Sequence, residues 1–138
     1  NKILKRYVEW DLYEPKVSMI PIPKILLEKL FQGRTEEDII KLATQVGRSA
    51  LEDASLFMNK NNNWLSFLKW FEKRMQNTSI EINHMTDNKI HNYIIKHNMG
   101  YNWSIYHKTI FELISKENYN KSVNIRYNDR TMSIEFYE

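Results

Sequence analysis

Residues 122–137 read SVNIRYNDRTMSIEFY, with apolar and polar positions alternating on both sides of Asp129 and Arg130. Alternation with a period of two is typical of strands that bury one face. Because an even-numbered loop keeps facing positions on the same side of a hairpin, the alternating apolar residues are predicted to share one face. They are Val123, Ile125, Tyr127, Met132, Ile134 and Phe136. This segment therefore predicts an antiparallel hairpin.

The preceding sequence extends the same arrangement. Residues 79–86 and 90–97 are two further strand-like runs around a short polar loop, and they predict a second hairpin. Between the hairpins, apolar residues recur at helical spacing after Gly100, and Asn102 or Ser104 is the expected N-terminal cap of that helix. The C-terminal order of elements is therefore predicted to be ββαββ.

Helical spacing dominates the N-terminal half of the chain. It predicts helices over residues 1–13, 23–33, 35–58 and 64–76, of which the third is the longest. Residues 17–22 form a short apolar run that includes a proline, so we predict a strand at a sheet edge there. Taken together, the patterns predict an α+β fold in which an N-terminal helical layer packs on a mainly antiparallel sheet.

The composition of the chain indicates a single globular domain and excludes several kinds of site. With 138 residues, 42% of them hydrophobic, and a net charge of +3, the chain has the size and balance of a single domain over residues 1–138. The absence of cysteine excludes disulfides, cysteine zinc sites and a cysteine nucleophile, and it fits a reducing compartment. No run approaches the roughly 20 apolar residues that cross a bilayer. We therefore expect a cytoplasmic protein without membrane contact.

Histidines offer a weak case for a metal site. If the loop of the first hairpin is centred on Asp87 and Asn88, His84 stands directly opposite His91. A stable site usually needs three or four ligands, and no cysteine or helical His-x-x-x-His motif supplies the others. Ordinary hairpin histidines are the favoured interpretation, so no metal and no cofactor is predicted.

The sequence gives equally weak support for nucleophilic catalysis. Ser104 near His107 is the one suggestive pair, and it lacks the glycine-rich turn that would expose a nucleophile. The carboxylates are scattered and form no acid–base pair. The sequence therefore supports no enzymatic activity.

Aromatic residues make up 13% of the chain, which is its most unusual feature. Core packing is the first interpretation, and two alternatives stay open. A pocket for a small apolar or aromatic ligand would involve Trp10, Tyr13, Trp70, Trp103, Tyr106 and His107. A homodimer interface would involve Tyr7, Val8, Trp64, Phe67 and Phe71.

Several motifs mark a resemblance to a known family. Residues 1–11 (NKILKRYVEWD) look like the end of the second helix of a ribbon-helix-helix unit. Residues 16–24 (KVSMIPIPK), 56–58 (LFM), 66–68 (SFL) and 95–104 (IKHNMGYNWS) resemble an uncharacterised archaeal family of transcription regulators, in which such a unit precedes an α+β domain.

This resemblance implies a sensing or dimerisation domain of a DNA-binding regulator. The helix over residues 1–13 would continue from a DNA-contacting segment upstream of Asn1, and two chains would pair, as ribbon-helix-helix units do. No base-reading residue can be carried over. A weaker likeness, to four-vinyl-reductase-type small-molecule-binding domains, lacks their cysteine signature and implies only a pocket. The alternatives are an interaction module without ligand and a ligand-binding domain unrelated to DNA.

Overall fold

A computed structural model describes residues 1–13, 20–58 and 60–138, with the side chains of Arg6, Trp10 and Tyr13 outside the description. The described helices are α1 (Lys2–Tyr13), α2 (Lys24–Phe31), α3 (Glu36–Met58), α4 (Trp64–Met75) and α5 (Tyr101–Glu117). The described strands are β1 (Glu81–Asp87), β2 (Ile90–Lys96), β3 (Asn124–Tyr127) and β4 (Thr131–Tyr137). The predicted α+β class and the ββαββ order are confirmed.

The four described strands form one antiparallel sheet in the order β1-β2-β4-β3. In the second hairpin Ile125 faces Ile134 and Tyr127 faces Met132, so these residues share one face, as predicted. Asn128 closes the two-residue loop by donating its backbone N–H to the carbonyl of Thr131 at 2.9 Å. The apolar face of this hairpin packs into the core, as the alternation predicts.

The first hairpin turns one residue later than the loop centre assumed from the sequence. Asn88 and Lys89 have φ values of 47° and 68°, the left-handed conformation that both central residues of a type I′ turn adopt. His84 therefore faces Tyr93 and not His91, which corrects the expected direct pairing of the two histidines. Both histidines still lie on the predicted face, because the shift between facing residues is two positions.

Two helices begin with the caps that their sequences favour. Thr35 Oγ1 accepts a hydrogen bond from the backbone N–H of Asp38 at 3.1 Å, and Asn63 Oδ1 accepts one from Ser66 at 2.9 Å. Each side chain satisfies a donor that the first helical turn would otherwise leave unpaired. The starts of α3 and α4 are therefore fixed by local sequence.

The expected cap of α5 is wrong. Gly100, with a φ of 96°, precedes the helix and provides no side-chain cap. The Asn102 side chain instead donates to the carbonyls of Phe31 and Arg34, at 2.7 and 3.1 Å, and joins α5 to the end of α2. Ser104 is fully buried, with contacts described below. Tertiary partners thus compete successfully with a local capping role.

A small residue lets α3 and α5 approach each other closely. A Cβ atom added at Gly47 would lie 3.2 Å from Leu113 Cδ2 and 3.6 Å from Ile110 Cγ1. Helices α3 and α5 are therefore in close contact at this point. Packing therefore explains a glycine that costs about 1 kcal/mol in a helix relative to alanine.

The aromatic side chains of α4 lie in the core of the chain itself. Trp64, Phe67 and Phe71 are buried, and the ring of Trp64 lies 6.1 Å from that of Phe136 on β4 and 6.3 Å from that of Phe111 on α5. This corrects the expectation that these three α4 residues form a dimer interface. Helix α4 packs against both the sheet side and α5, so its wide apolar arc is covered within one chain.

The strand expected at residues 17–22 is not observed where the chain is described. Residues 14–19 fall outside the described residues, and residues 20–22 have no regular secondary structure. Of the described residues in this segment, 20–22 join neither edge strand of the sheet, β1 or β3. Pro21 has no backbone N–H to contribute to a ladder.

Candidate ligand-binding cavity

A cavity of about 340 Å³ lies between α3, α4 and α5, and we call it the helical cavity. Its described apolar lining consists of Ile20, Val46, Ala50, Phe67, Trp70, Phe71, Ile110 and Phe111. Its described polar lining consists of Ser49, Asp53, Arg74, Tyr106 and His107. The small side chain of Ala50 leaves space opposite the large rings of α4 and α5. A concave site that combines apolar walls with convergent polar groups can bind a small molecule.

Arg74 brings a positive charge to the helical cavity. Its guanidinium carbon lies 5.5 Å from the centre of the Trp70 ring, a cation–π distance. Among the described residues, no carboxylate lies within ion-pair distance of this guanidinium. Asp53 lines the same cavity, and burial raises the pKa of its carboxyl while the charge of Arg74 opposes that rise. Arg74 is therefore placed to recognise an anionic group.

His107 contributes a neutral imidazole. Its Nδ1 lies 3.0 Å from the carbonyl oxygen of Trp103, which can only accept, so Nδ1 carries the proton. Burial lowers the pKa of His107 to about 3, which keeps the ring uncharged at neutral pH. In this tautomer Nε2 is an acceptor. No protein partner of Nε2 is found among the described residues.

Tyr106 supplies a phenol beside His107. Burial raises the pKa of its hydroxyl, so the side chain stays protonated and can donate a hydrogen bond. Its ring meets that of Phe31 edge-on at 5.6 Å and thereby also contacts α2. The helical cavity thus combines a cation, a neutral acceptor and a neutral donor on an aromatic wall.

The residues predicted for a pocket are only partly brought together. Trp70, Tyr106 and His107 line the helical cavity. Trp103 is not among its lining residues and lies behind His107, with ring centres 3.8 Å apart. The positions predicted on α1, Trp10 and Tyr13, have side chains outside the described part of the chain. Three of the six residues predicted for a pocket therefore line this cavity.

Asp53 and Arg74 are the two charged lining residues of the cavity, and sequence reasoning missed both. Both had a usable signal. Arg74 follows Trp70 by four residues, which places the two side chains on the same side of α4. Asp53 follows Ala50 by three residues on the side of α3 that carries small buried residues, where a carboxylate is unusual.

His97 and Ser104 form a buried pair whose chemistry is not catalytic. His97 Nε2 lies 2.7 Å from Ser104 Oγ, His97 Nδ1 accepts the N–H of Met99, and Ser104 Oγ donates to the carbonyl of Asn128 at 2.8 Å. With Nδ1 accepting, Nε2 carries the proton and donates to Oγ. A nucleophilic serine needs the opposite arrangement, in which it donates to the base. This network joins the two hairpins to α5.

The two hairpin histidines are hydrogen-bonded to each other. His84 Nε2 and His91 Nδ1 are 2.7 Å apart, and His91 Nε2 lies 3.3 Å from a carboxylate oxygen of Glu138. Burial, and then the neighbouring His91, lower the pKa of His84. Their rings stack on Tyr93 and Phe136, respectively. Nowhere in the described ranges do three or more His, Asp or Glu side chains form a group suited to a metal ion.

Comparison of the chain with protein-family models, curated proteins and solved structures found no match. No helix in the described ranges combines the length and apolar character needed to span a membrane. The functional interpretation therefore depends on the cavity and on the exposed surfaces of the chain.

Proposed function

We propose that this chain is the sensing domain of a dimeric, cytoplasmic DNA-binding regulator and binds a small aromatic or apolar molecule with an anionic group. The observation that carries the proposal is Arg74, a cation without an ion pair among the described residues, on the aromatic wall of the helical cavity. The regulator part of the proposal comes from the resemblance of residues 1–11 to a ribbon-helix-helix unit.

The size and chemistry of the helical cavity select the ligand class. A volume of about 340 Å³ lies at the lower end of ordinary ligand pockets, which favours a molecule of one or two rings. Trp70 and Phe71 offer ring faces and edges for stacking. Arg74 would bind a carboxylate or sulfonate, and Tyr106 would donate a further hydrogen bond. Asp53 disfavours a second negative charge.

Helix α4 offers a route from the cavity to α1. Arg74 lines the cavity, and the adjacent Lys73 donates a hydrogen bond to Glu9 of α1, which lowers the pKa of that carboxyl. A ligand that binds better to one position of α4 would thereby favour one position of α1. The size of that effect is limited by the difference in ligand affinity between the two positions.

Isothermal titration calorimetry of the whole chain with 1-naphthoate tests the proposal. Arg74→Gln should weaken binding about 10- to 100-fold, because a hydrogen bond to a charged group contributes roughly 1.5–3 kcal/mol. Arg126→Gln is the matched control, since Arg126 is exposed on β3. The uncharged 1-naphthalenemethanol should bind the wild-type chain and the Arg74→Gln variant equally. Equal affinity of 1-naphthoate for Arg74→Gln and wild type would exclude the anion site.

A cavity-filling variant tests the location separately from the charge. Ala50→Phe places a ring in the space that the ligand would occupy, so it should abolish the binding of both naphthalene compounds. Circular dichroism checks that the variant is folded. Unchanged binding by folded Ala50→Phe would mean that the compounds bind elsewhere.

A further inference from the structure

The imidazole of His107 is a polar group of the helical cavity that the proposed function leaves unused. Its Nδ1 lies 3.0 Å from the carbonyl oxygen of Trp103, one turn earlier in α5. Because a carbonyl oxygen only accepts, the proton of the neutral ring is on Nδ1, and Nε2 carries a free lone pair. The tautomer is therefore set by the helix itself and does not depend on a ligand.

Aromatic side chains hold the His107 ring in place on several sides. Its centre lies 3.8 Å from that of Trp103, 5.0 Å from Tyr106, 5.5 Å from Phe71 and 5.9 Å from Phe111. These contacts and the hydrogen bond of Nδ1 leave the ring little freedom to turn. An acceptor that is already fixed loses little conformational entropy when it binds a ligand, so His107 is preorganised.

Nε2 of His107 is open to the helical cavity. His107 lines this cavity, and no described residue forms a hydrogen bond with Nε2. In the described part of the chain, the fully enclosed side-chain polar atoms without a partner are Trp64 Nε1, Asn92 Oδ1 and Tyr93 OH. Nε2 is not one of them, so it keeps a surface that another molecule can reach. Its hydrogen bond therefore has to come from water or from a ligand.

We infer that His107 selects ligands that carry a hydroxyl or N–H group in addition to the anionic group, with Nε2 accepting the hydrogen bond of that donor. A ligand without the donor would displace water from Nε2 and leave the acceptor unpaired, which is unfavourable at a buried site. The inference rests on the proposed function and narrows its ligand class to hydroxyaryl or aminoaryl carboxylates and sulfonates.

The polar groups of the helical cavity divide the recognition of such a ligand between two helices. Arg74 on α4 is a cation that only donates, whereas His107 on α5 stays neutral, because burial lowers its pKa to about 3, and accepts. The anionic group and the donor should therefore lie at separate positions of the ligand's ring system. Asp53 on α3 also lines the cavity and can accept, so an experiment has to distinguish its contribution from that of His107.

Isothermal titration calorimetry of the whole chain with hydroxylated naphthoates tests the inference. Either 5-hydroxy-1-naphthoate or 6-hydroxy-1-naphthoate should bind about 3- to 10-fold more tightly than 1-naphthoate, the range expected for one neutral hydrogen bond. The matched control is 2-hydroxy-1-naphthoate, which should show no gain because its hydroxyl is hydrogen-bonded to its own carboxylate. Absence of a gain with both of the first two compounds would overturn the inference.

His107→Phe tests whether the gain belongs to this residue. The substitution keeps a ring among the aromatic neighbours and removes the acceptor, so the hydroxy compound and 1-naphthoate should bind it with equal affinity. A general loosening of the cavity would instead weaken the binding of both compounds. Asp53→Ala is the control for the other acceptor and should retain the gain. A gain that persists in His107→Phe, or disappears in Asp53→Ala, would contradict the role of His107.

Nitrogen NMR of the wild-type chain provides a test that does not depend on the folding of a variant. Nε2 of His107 should be unprotonated in the free chain. Its signal should shift further when the hydroxy compound binds than when 1-naphthoate binds. A protonated Nε2 in the free chain, or equal shifts with the two compounds, would overturn the inference.

The two proposals fail separately. Arg74→Gln should weaken the binding of 1-naphthoate and of the hydroxy compound by the same factor, because Arg74 would hold the anionic group of both. Unchanged affinities in Arg74→Gln, with a gain that still depends on His107, would refute only the anion site. Equal affinity of the wild-type chain for the two compounds would refute only the role of His107. Absence of any naphthoate binding would overturn the proposed function and, with it, this inference.

Discussion

Acidification from about pH 7.5 to pH 5 should destabilise this protein through His97. His97 is buried, and desolvation lowers its pKa to about 4 from the ordinary 6.5. Its Nδ1 accepts a hydrogen bond from the Met99 N–H, and its Nε2 donates one to Ser104 Oγ. A second proton would sit on the nitrogen that now accepts. The fold therefore resists protonation of this ring.

The sign and size of the effect follow from proton linkage. As the pH falls below about 6.5, His97 becomes protonated in the unfolded chain, whereas in the native chain it stays neutral until about pH 4. Stability is therefore fully present above pH 6.5 and declines on acidification. Between about pH 7.5 and pH 5, His97 alone accounts for a loss of about 2 kcal/mol. That loss is a large fraction of the stability of a typical domain.

Urea denaturation of wild type and His97→Gln across this range measures the contribution. Gln can accept from Met99 and donate to Ser104 but does not titrate, so its loss of stability on acidification should be smaller by about 2 kcal/mol. The same loss in both proteins would refute the assignment of a neutral, buried His97. His107→Gln should also reduce the loss, because burial lowers the pKa of His107 to about 3.

Two further substitutions test the packing that frames the cavity. Asn63→Ala removes the N-cap of α4 and should cost about 1 kcal/mol of unfolding free energy, while Asn61→Ala should cost little, as a chemical-denaturation comparison would reveal. Gly47→Leu should lower the free energy of unfolding by at least about 1–3 kcal/mol, because even a Cβ atom there would lie 3.2 Å from Leu113. Substitution of the exposed neighbour, Arg48→Leu, is the control. An unchanged melting temperature of Gly47→Leu would show that α3 and α5 can separate freely.

Periodicity predicted most of the fold because its signal is local. The alternation in residues 122–137 fixed the shared face of six apolar residues, and the cap at Thr35 fixed the start of α3. The centre of the first loop was misjudged because either pair of polar residues can turn a chain, and the left-handed φ values of Asn88 and Lys89 decide between them.

Tertiary packing decided what periodicity left open. The wide aromatic arc of α4 predicted burial on more than one side, but its spacing is the same whether one chain or two provide the cover. The cavity residues likewise differed in how clearly the sequence marks them. Trp70, Tyr106 and His107 stand out by residue type. Arg74 has only its four-residue spacing from Trp70 as a sequence signal, and the structure adds that no described carboxylate lies within ion-pair distance of it.

The most direct test of the central claim is an NMR titration of the whole, isotope-labelled chain with 1-naphthoate. If the helical cavity is the binding site, the largest amide shifts should cluster around Ala50, Trp70 and His107, and the Arg74→Gln variant should show them only at higher ligand concentration. Shifts confined to the exposed leucines of α2, such as Leu26 and Leu30, would contradict the account.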